Sequence, residues 1–299
     1  MPATGWRARS TVKLIMNNSE IPAVDDLHLI NRAKSGDKTA FEELLEPHRR
    51  SLFSYIYRMV TQREDAEDLL QEVLVRVLTG LPKFRGEAKF KTWLFGIATH
   101  VCLDHLRQRH RWRVEAQLLG EQETDANPEA VEQLQALTAR ADFVFEIREH
   151  IAFCFSCISR TLPPEEQAAL MLREVLGFTG QEAAKILETS EPILRHSLSA
   201  ARAKMIENYE GLCQLINKTG VCHQCKGLRE FTPAANRGAD LVQIEVAPGK
   251  NISPENLFDA RIEIVQRADL ADGKSRAMHD AFFFDISVRE ENHANHQSG

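Results

Sequence analysis

The feature that most constrains the fold of this 299-residue chain is a helical spacing of apolar side chains that begins near Asp25. Between residues 41 and 59 the apolar residues recur about every 3.6 positions, as on one face of an α-helix. Residues 63–79 repeat the pattern opposite an acidic and amide-bearing side, and Gly80 and Pro82 end that helix. A fourth helix follows from near Ala88 to about His110. These spacings predict a compact bundle of three long helices and a short one.

A second helical region follows, and it contains two short helices joined by a tight turn. A helix over roughly 128–159 precedes it, and a helix over 164–176 ends at Gly177. Thr179 to Glu182 resembles a capping box that opens a helix over 180–187. After a turn of about four residues, with Ser190 as a cap, a long helix runs to about Tyr209. This arrangement is the helix-turn-helix signature.

The pattern changes at Gly211, where runs rich in β-branched and aromatic residues predict three strands, 241–246, 261–266 and 281–288. The expected fold is mainly α, with two helical domains joined by an acidic linker and a small C-terminal α+β or β extension. The expected divisions are a disordered segment (1–24), a first helical domain (25–113), the linker (114–140), a helix-turn-helix domain (141–210) and the extension (211–299).

Charge is informative when it is divided along the chain, although the net charge is only −6. Residues 83–113 hold eight lysines and arginines against two acids, and residues 192–206 hold three cations and no acid. Between them, residues 114–170 hold eleven acids and three arginines. Two basic patches separated by an acidic segment suggest two nucleic-acid contacts, although charge runs are also common on solvated faces.

Aromatic residues are interleaved with the first basic patch, which favours a single-stranded nucleic acid. Rings that stack on unpaired bases contribute about 1–3 kcal/mol per base, while lysine and arginine hold the phosphates. The alternative is that Phe90, Trp93 and Phe95 belong to the bundle core. The side chains expected to touch DNA are Lys89, Lys91, His100, Asp104, Arg107 and Arg109.

At this point the order of motifs becomes recognisable. Residues 40–111, which include DAEDLLQEV, FRGEAKF and WLFGIATH, resemble region 2 of bacterial extracytoplasmic-function (ECF) sigma factors of the sigma-70 family. Residues 162–205 resemble region 4 of the same family. The resemblance covers about 26–209, in the expected order and with an acidic linker between the two regions.

The resemblance implies that region 2 docks on the β′ clamp of core RNA polymerase and opens the −10 promoter element, while region 4 reads the −35 element. Polymerase contacts are implied at Asp65, Asp68, Leu69, Gln71 and Glu72. Contacts to the −10 element are implied at Phe84, Arg85, Lys89, Lys91, Trp93, His100, Asp104 and Arg107. Contacts to the −35 element are implied at Arg195, His196, Ser199 and Arg202.

The sequence departs from the family pattern at one residue and in one short run. His100 stands where the family often carries an asparagine that reads a flipped base. Residues 192–196 replace a run that resembles Gly-Thr-Val-Lys-Ser in the family, so the threonine contact to phosphate is lost. The acidic linker matches the family segment that threads the basic channels of polymerase.

The expected function is therefore that of an ECF sigma factor, which directs core polymerase to promoters and is not itself an enzyme. The alternative is a free-standing helix-turn-helix regulator that binds duplex DNA without polymerase. Expected partners are core RNA polymerase, promoter DNA and an anti-sigma factor. No apolar run approaches the ~18–20 residues of a membrane span, and no signal peptide is evident, so the expected location is cytoplasmic and away from membranes.

Cysteines occur as two CxxC pairs, Cys154 with Cys157 and Cys222 with Cys225. Three interpretations stay open. The pairs could form a four-thiolate zinc site, a redox pair that locks or frees the protein, or ordinary buried cysteines. No cofactor is required for sigma function, and a CxxC oxidoreductase is disfavoured because no βαβ pattern surrounds either pair.

The segment after region 4 is the least explained part of the chain, because ECF factors often end there. It holds ten basic and twelve acidic residues and is fused directly to a helix expected to bind DNA. We therefore hypothesise that the extension regulates the sigma regions in cis.

Overall fold

The structure is a computed structural model, and it describes residues 23–297 apart from 117–118, 121, 123–125, 213–231 and 239–252. It divides into two compact units, Met1–Glu46 and Pro47–Gly299. The helices are α1 (Ala23–Lys34), α2 (Lys38–Val60), α3 (Arg63–Gly80), α4 (Phe90–Arg107), α5 (Pro128–Thr138), α6 (Ile147–Ser159), α7 (Pro164–Leu170), α8 (Gly180–Ile186), α9 (Glu191–Leu212), α10 (Pro254–Arg267) and α11 (Arg276–Gln297).

The first unit holds α1 and the start of α2, joined by a capped turn. Gly36 has a φ of +92°, a left-handed conformation that glycine adopts without strain. The Asp37 carboxylate then accepts hydrogen bonds from the Ala40 N–H (3.1 Å) and the Arg32 guanidinium (2.8 Å). These two bonds hold the pKa of Asp37 below its ordinary value. The cap satisfies a free N–H group at the start of α2.

In the second unit, α3 and α4 pack together as the apolar spacing predicts. α3 buries Ala66, Leu69, Val73 and Val77, one residue per turn. In the core, the Tyr55 hydroxyl of α2 and the Thr99 hydroxyl of α4 are hydrogen bonded at 2.9 Å. The predicted helical boundaries of this part are confirmed to within a few residues.

The helix-turn-helix is formed by α8 and α9, and its local signals are also confirmed. The Thr179 hydroxyl accepts a hydrogen bond from the Glu182 N–H (3.2 Å), and the Glu182 carboxylate accepts one from the Thr179 N–H (3.0 Å). This is a complete capping box. α7 continues through a π-helical turn, Met171–Val175, and Gly177, at a φ of +69°, reverses the chain before the box.

A second core surrounds α6, which is buried at every position from His150 to Ser159. The ring of Phe153 lies 4.5 Å from that of Phe283 on α11, centroid to centroid. The ring of Phe155 lies 6.2 Å from that of Phe258 on α10. The C-terminal helices are therefore part of the core that supports the helix-turn-helix.

The prediction of a mainly α fold is confirmed, but two of the three predicted strands are wrong. Residues 261–266 lie in α10 and residues 281–288 lie in α11. Both segments have buried residues three, four or seven positions from one another, as on one face of a helix: Phe258 with Arg261, Ile262 and Val265, then Phe283 with His279, Ile286 and Glu290. The Ser253 hydroxyl also caps α10 through the Asn256 N–H. The third predicted strand, 241–246, lies outside the described residues.

The helix predicted over 128–159 is also wrong, because it is two helices separated by residues 139–146. The side-chain amide of Asn236 donates to the carbonyls of Thr138 (2.7 Å) and Arg140 (2.8 Å), which ends α5. The backbone of Phe145 then pairs with residues 236–238 in one isolated parallel β-bridge. The break is imposed by residues that lie about a hundred positions further along the chain. Among the described helices, none is long and apolar enough to cross a membrane.

Candidate nucleic-acid and polymerase interface

An aromatic cluster lies where α3 leads into α4, and it supports the predicted basic surface. The Trp93 ring lies 5.0 Å from Phe84 and 5.8 Å from Phe90, and the two phenylalanines are buried. A Cβ atom at Gly80 would lie 3.2 Å from the Trp93 ring, so the absence of a side chain there lets the ring pack closely against α3. Trp93 stays partly exposed. Both interpretations of the rings are therefore represented: Phe84, Phe90 and Phe95 are core, and Trp93 keeps one accessible side.

Two of the predicted cations around this cluster, Lys89 and Arg85, are exposed and paired with acids of the chain, and a third, Lys91, is partly buried. Lys89 is 81% exposed and lies 3.2 Å from the Glu182 carboxylate of α8. Arg85, equally exposed, lies 3.1 Å from Glu87. Lys91 covers the ring of Phe178 at 4.9 Å, and burial lowers the pKa of its ammonium group. The cationic surface thus meets the start of the helix-turn-helix.

The C-terminal end of α4 also carries a predicted cation that pairs with acids of the chain. Arg107 pairs with Asp104 one turn away (3.2 Å) and with Glu165 at the start of α7 (3.0 Å). All three side chains are about half exposed. Exposed ion pairs of this kind contribute little to stability, since water and salt screen them, so phosphate groups could replace the carboxylates at small cost.

His100 lines a cavity of about 400 Å³ together with Trp93, Gly96, Lys185 and Glu188. Its Nδ1 lies 2.8 Å from the Gly96 carbonyl, and its Nε2 lies 3.7 Å from the Glu188 carboxylate. Lys185 and Glu188 were not predicted as site residues. They come from the helix-turn-helix, and no local sequence signal connects them with α4.

The residues on α3 that are predicted to contact polymerase differ in their exposure to solvent. Asp68, Gln71 and Glu72 are exposed, whereas Leu69 is buried. Asp65 lies 3.4 Å from His105 and 3.3 Å from Arg109. Burial raises the pKa of Asp65, but the nearby His105 ring and the charge of Arg109 outweigh it and leave the pKa below its ordinary value.

Further along α3, two apolar side chains extend this exposed row. Val75 is 60% exposed and Leu78 is 55% exposed. Large apolar side chains next to exposed acids are typical of a protein-binding surface, although single exposed apolar residues are ordinary.

The predicted −35 contacts on α9 differ in the same way. Arg195, His196 and Ser199 are exposed. Arg202 pairs with Glu174 (3.2 Å) and with Asp259 of α10, and it covers the ring of Phe258 at 4.9 Å. Although burial lowers the pKa of Arg202, the bond to Asp259 and the two nearby carboxylates raise it overall. The structure therefore brings three of the four residues to a free helix face and engages the fourth with the extension.

The cysteines are only partly described. Cys154 and Cys157 lie in the buried helix α6, whereas Cys222 and Cys225 lie outside the described residues. Burial raises the pKa of the Cys157 thiol, which disfavours the thiolate that zinc and redox chemistry both need. Within the described part of the chain, no group of three or more His, Cys, Asp or Glu side chains could hold a metal ion.

Comparison with known proteins places this geometry in a family context. The family description "Sigma-70 region 2" matches residues 44–112, and "Sigma-70, region 4" matches residues 153–205. The ECF RNA polymerase sigma factor SigX of Bacillus subtilis is 33% identical over 153 residues, which cover 50% of this chain and 74% of SigX. SigG of Mycobacterium tuberculosis, another ECF sigma factor, is 34% identical over 176 residues, 55% of this chain and 47% of SigG. The chain thus spans about half the length of SigG.

Two solved structures are also similar. CnrH in complex with the cytosolic domain of CnrY has a TM-score of 0.45 at 20% identity, over 62% of this chain and 98% of that chain. The sigma factor RpoE in complex with the anti-sigma factor NepR, from Bartonella quintana, has a TM-score of 0.38 at 19% identity, over 57% and 96%.

Proposed function

Because this chain belongs to the ECF RNA polymerase sigma factors of the sigma-70 family, we propose that it binds core RNA polymerase, directs it to promoters and initiates transcription. The observation that carries the proposal is the match of region 2 and region 4 in their family order on one chain. The exposed charged and polar side chains within the two matched parts support the proposal, because they suit contacts with polymerase and with DNA.

The polymerase contact is assigned to the exposed side of α3. Asp68, Gln71 and Glu72 offer charge and hydrogen bonds, and Val75 and Leu78 offer apolar area that is now in water. Asp65 and Leu69 complete the proposed contact set. Leu69 anchors the helix in the core, and the contacts of Asp65 with His105 and Arg109 hold the first turn of the helix.

The −10 contact is assigned to α4 and the loop before it. Lys89, Lys91, Arg85 and Arg107 hold phosphates of the separated strand, and Trp93 offers a ring face for stacking. The cavity beside His100 has room for one unpaired base, whose removal from the duplex costs a few kcal/mol. Asp104 positions Arg107, and Phe84 supports Trp93 from the core.

The −35 contact is assigned to α9. A helix that follows a tight turn can enter the major groove and read base edges with its N-terminal residues. Arg195, His196 and Ser199 lie on its exposed face in the first turns. Arg202 joins this set only when its pairing with Asp259 is broken.

This proposal gives the chain no catalytic residue and no required cofactor, because polymerase itself performs the chemistry. The proposed location is cytoplasmic, where core polymerase and promoter DNA are found. An anti-sigma factor is a further proposed partner, as for the RpoE structure in complex with NepR. A zinc ion at the CxxC pairs has no support in the described residues.

The test is reconstitution with core RNA polymerase of the source organism and sheared genomic DNA, with transcript 5′ ends mapped by sequencing. The wild-type chain is expected to co-purify with core polymerase and to give a small set of discrete start sites. The variant Glu72→Lys is expected to lose both. The matched control is Glu132→Lys, on an exposed turn of α5. Binding of duplex promoter DNA without polymerase, and no effect on start sites, would favour the free-standing regulator instead.

A further inference from the structure

We infer that residues 253–297, which form α10, α11 and the turn between them, are an intramolecular clamp that holds this sigma factor in a closed, DNA-incompetent form. The inference rests on the function proposed above. It adds the regulation of the two DNA-binding surfaces and names the residues that carry it.

The first observation is that the helix-turn-helix domain occupies part of the surface proposed to bind the −10 element. The Lys89 ammonium group pairs with Glu182 of α8, and Arg107 pairs with Glu165 of α7, so carboxylates of the helix-turn-helix domain stand where −10 phosphates would bind. Lys185 also donates to the Glu87 carbonyl. In this form, phosphates and carboxylates compete for the same cations.

The two sigma regions also lie too close together to bind both promoter elements at once. The centres of −10 and −35 elements are about 25 base pairs apart, which is roughly 85 Å along a straight duplex at about 3.4 Å per base pair. In the structure, the Lys89 ammonium group and the Glu182 carboxylate, which belong to the two regions, are 3.2 Å apart. One promoter therefore cannot be read at both elements until the regions separate.

The third observation is that the extension ties the two regions together with charged and polar contacts. On the region 2 side, Glu290 of α11 is 4% exposed and accepts hydrogen bonds from the Arg113 backbone N–H (2.7 Å) and guanidinium (2.8 and 3.0 Å). Its neighbour Glu291 pairs with Arg109. On the helix-turn-helix side, Asp259 of α10 pairs with Arg202.

Backbone carbonyls at the end of α10 and just after it accept hydrogen bonds from two arginines of region 2. The Arg58 guanidinium is buried and donates to the carbonyls of Val265 (3.3 Å) and Ala268 (2.9 Å). Arg63 donates to the Ala271 carbonyl at 3.0 Å. Backbone carbonyls at a helix end hold a cation well, because their partial negative charges point the same way.

An apolar seam backs these contacts, which makes the clamp more than a set of surface ion pairs. The Phe283 ring lies 5.9 Å from Tyr57, 6.3 Å from Trp112 and 4.5 Å from Phe153. Tyr57 and Trp112 belong to region 2, so Phe283 joins region 2 and α6 in one cluster. Opening the sigma regions requires this ring to leave its site or to move with only one of them.

The charge pattern explains how the clamp could respond to DNA and polymerase. Asp259, Glu290 and Glu291 each hold an arginine that lies in or beside a proposed DNA-binding segment. The extension therefore imitates phosphate at these positions. A polyanion such as DNA that takes over the arginines, or a basic polymerase channel that takes over the carboxylates, would release the extension.

The test uses the full chain with substitutions in the extension alone. The double variant Glu290→Gln, Glu291→Gln weakens the region 2 side, and Asp259→Asn separately weakens the helix-turn-helix side. The control is Glu263→Gln, an exposed acid one turn along the same helix as Asp259. Hydrogen exchange of α10 and α11 reports the clamp without polymerase, and promoter-dependent transcription with core polymerase reports its consequence.

The double variant is expected to speed exchange in α11 and to raise the initial rate of open-complex formation about tenfold, a change equal to about 1.4 kcal/mol. Asp259→Asn is expected to give about threefold, since its side chain is 58% exposed, and Glu263→Gln no change. Faster exchange with an unchanged rate, or unchanged exchange in both variants, would overturn the clamp. Absence of promoter-dependent transcription from every protein, including wild type, would contradict the proposed function itself.

Discussion

His279 on α11 gives a sharp test of the interface between the extension and α6, because its imidazole is fully buried without a hydrogen-bond partner for either ring nitrogen. Its ring lies 4.8 Å from Phe153 and 5.6 Å from His150, centroid to centroid. Burial, with a smaller contribution from His150, lowers the pKa of His279 well below its ordinary value of 6.5. The substitution His279→Phe removes the titratable ring nitrogens and keeps an aromatic ring beside Phe153 and His150.

The direction of the pH effect follows from proton binding. Above about pH 6.5 the histidine is neutral in the folded and the unfolded chain, so it adds no pH dependence. Below that pH the unfolded chain takes up a proton that the folded chain cannot hold. The free energy of unfolding of wild type is therefore expected to fall by about 1.4 kcal/mol per pH unit from this residue alone.

The assay is urea denaturation followed by circular dichroism at pH 7.5, 6.5 and 5.5. Between pH 6.5 and 5.5, His279→Phe is expected to lose about 1 kcal/mol less stability than wild type, after the logarithmic onset of protonation is included. The control His296→Gln, on the exposed end of α11, is expected to keep the wild-type slope. Equal slopes for wild type and His279→Phe would refute the argument, because they would mean that His279 is protonated in the folded chain or already exposed.

Three further predictions concern the core, the helix cap and the DNA contact. Phe283→Ala is expected to lower the free energy of unfolding by about 3–5 kcal/mol, since the ring is fully buried, and urea denaturation at pH 7.5 measures it. Thr179→Ala removes half of the capping box and is expected to cost about 1 kcal/mol, with Thr189→Ala as the control and a lower urea midpoint as the readout. Arg195→Ala is expected to weaken binding of the holoenzyme to −35 DNA and to reduce the slope of log affinity against log salt by about one. An unchanged slope would contradict a phosphate contact at Arg195.

The helices that could be predicted from sequence are those whose signals are local. α3 repeats an apolar residue on every turn, and α8 begins with a Thr179–Glu182 capping box, so both follow from a few neighbouring residues. The basic and aromatic surface on α4 was also predictable, since Lys89, Lys91 and Trp93 lie within five positions.

The extension could not be predicted in the same way, because its local pattern fits two structures. Ile262 and Ile264 alternate with polar residues as in a strand, while Phe258, Ile262 and Val265 are spaced as in a helix. In the structure, Arg261 is buried beside Ile262, with its guanidinium 3.3 Å from the Tyr209 ring centroid, and this burial fits the helical spacing. Tyr209 lies 52 positions earlier in the chain. Tertiary contacts of this range leave no local trace in the sequence.

The acidic partners of two arginines in the basic segments could not be predicted for the same reason. Arg113 and Arg202 add to the positive charge of these segments, but their carboxylate partners, Glu290 and Asp259, come from the extension. A sum of charges along the chain identifies a basic segment and does not show which of its charges are already neutralised in space.

The measurement that tests the central claim most directly is strand opening at a mapped start site, followed by permanganate reactivity of unpaired thymines. With the chain and core polymerase together, thymines around the −10 element are expected to become reactive, and Trp93→Ala is expected to reduce this reactivity several-fold because a stacking surface is lost. With either component alone, the site is expected to stay closed. A site that stays unreactive with both present, or that opens equally well with core polymerase alone, would contradict the account.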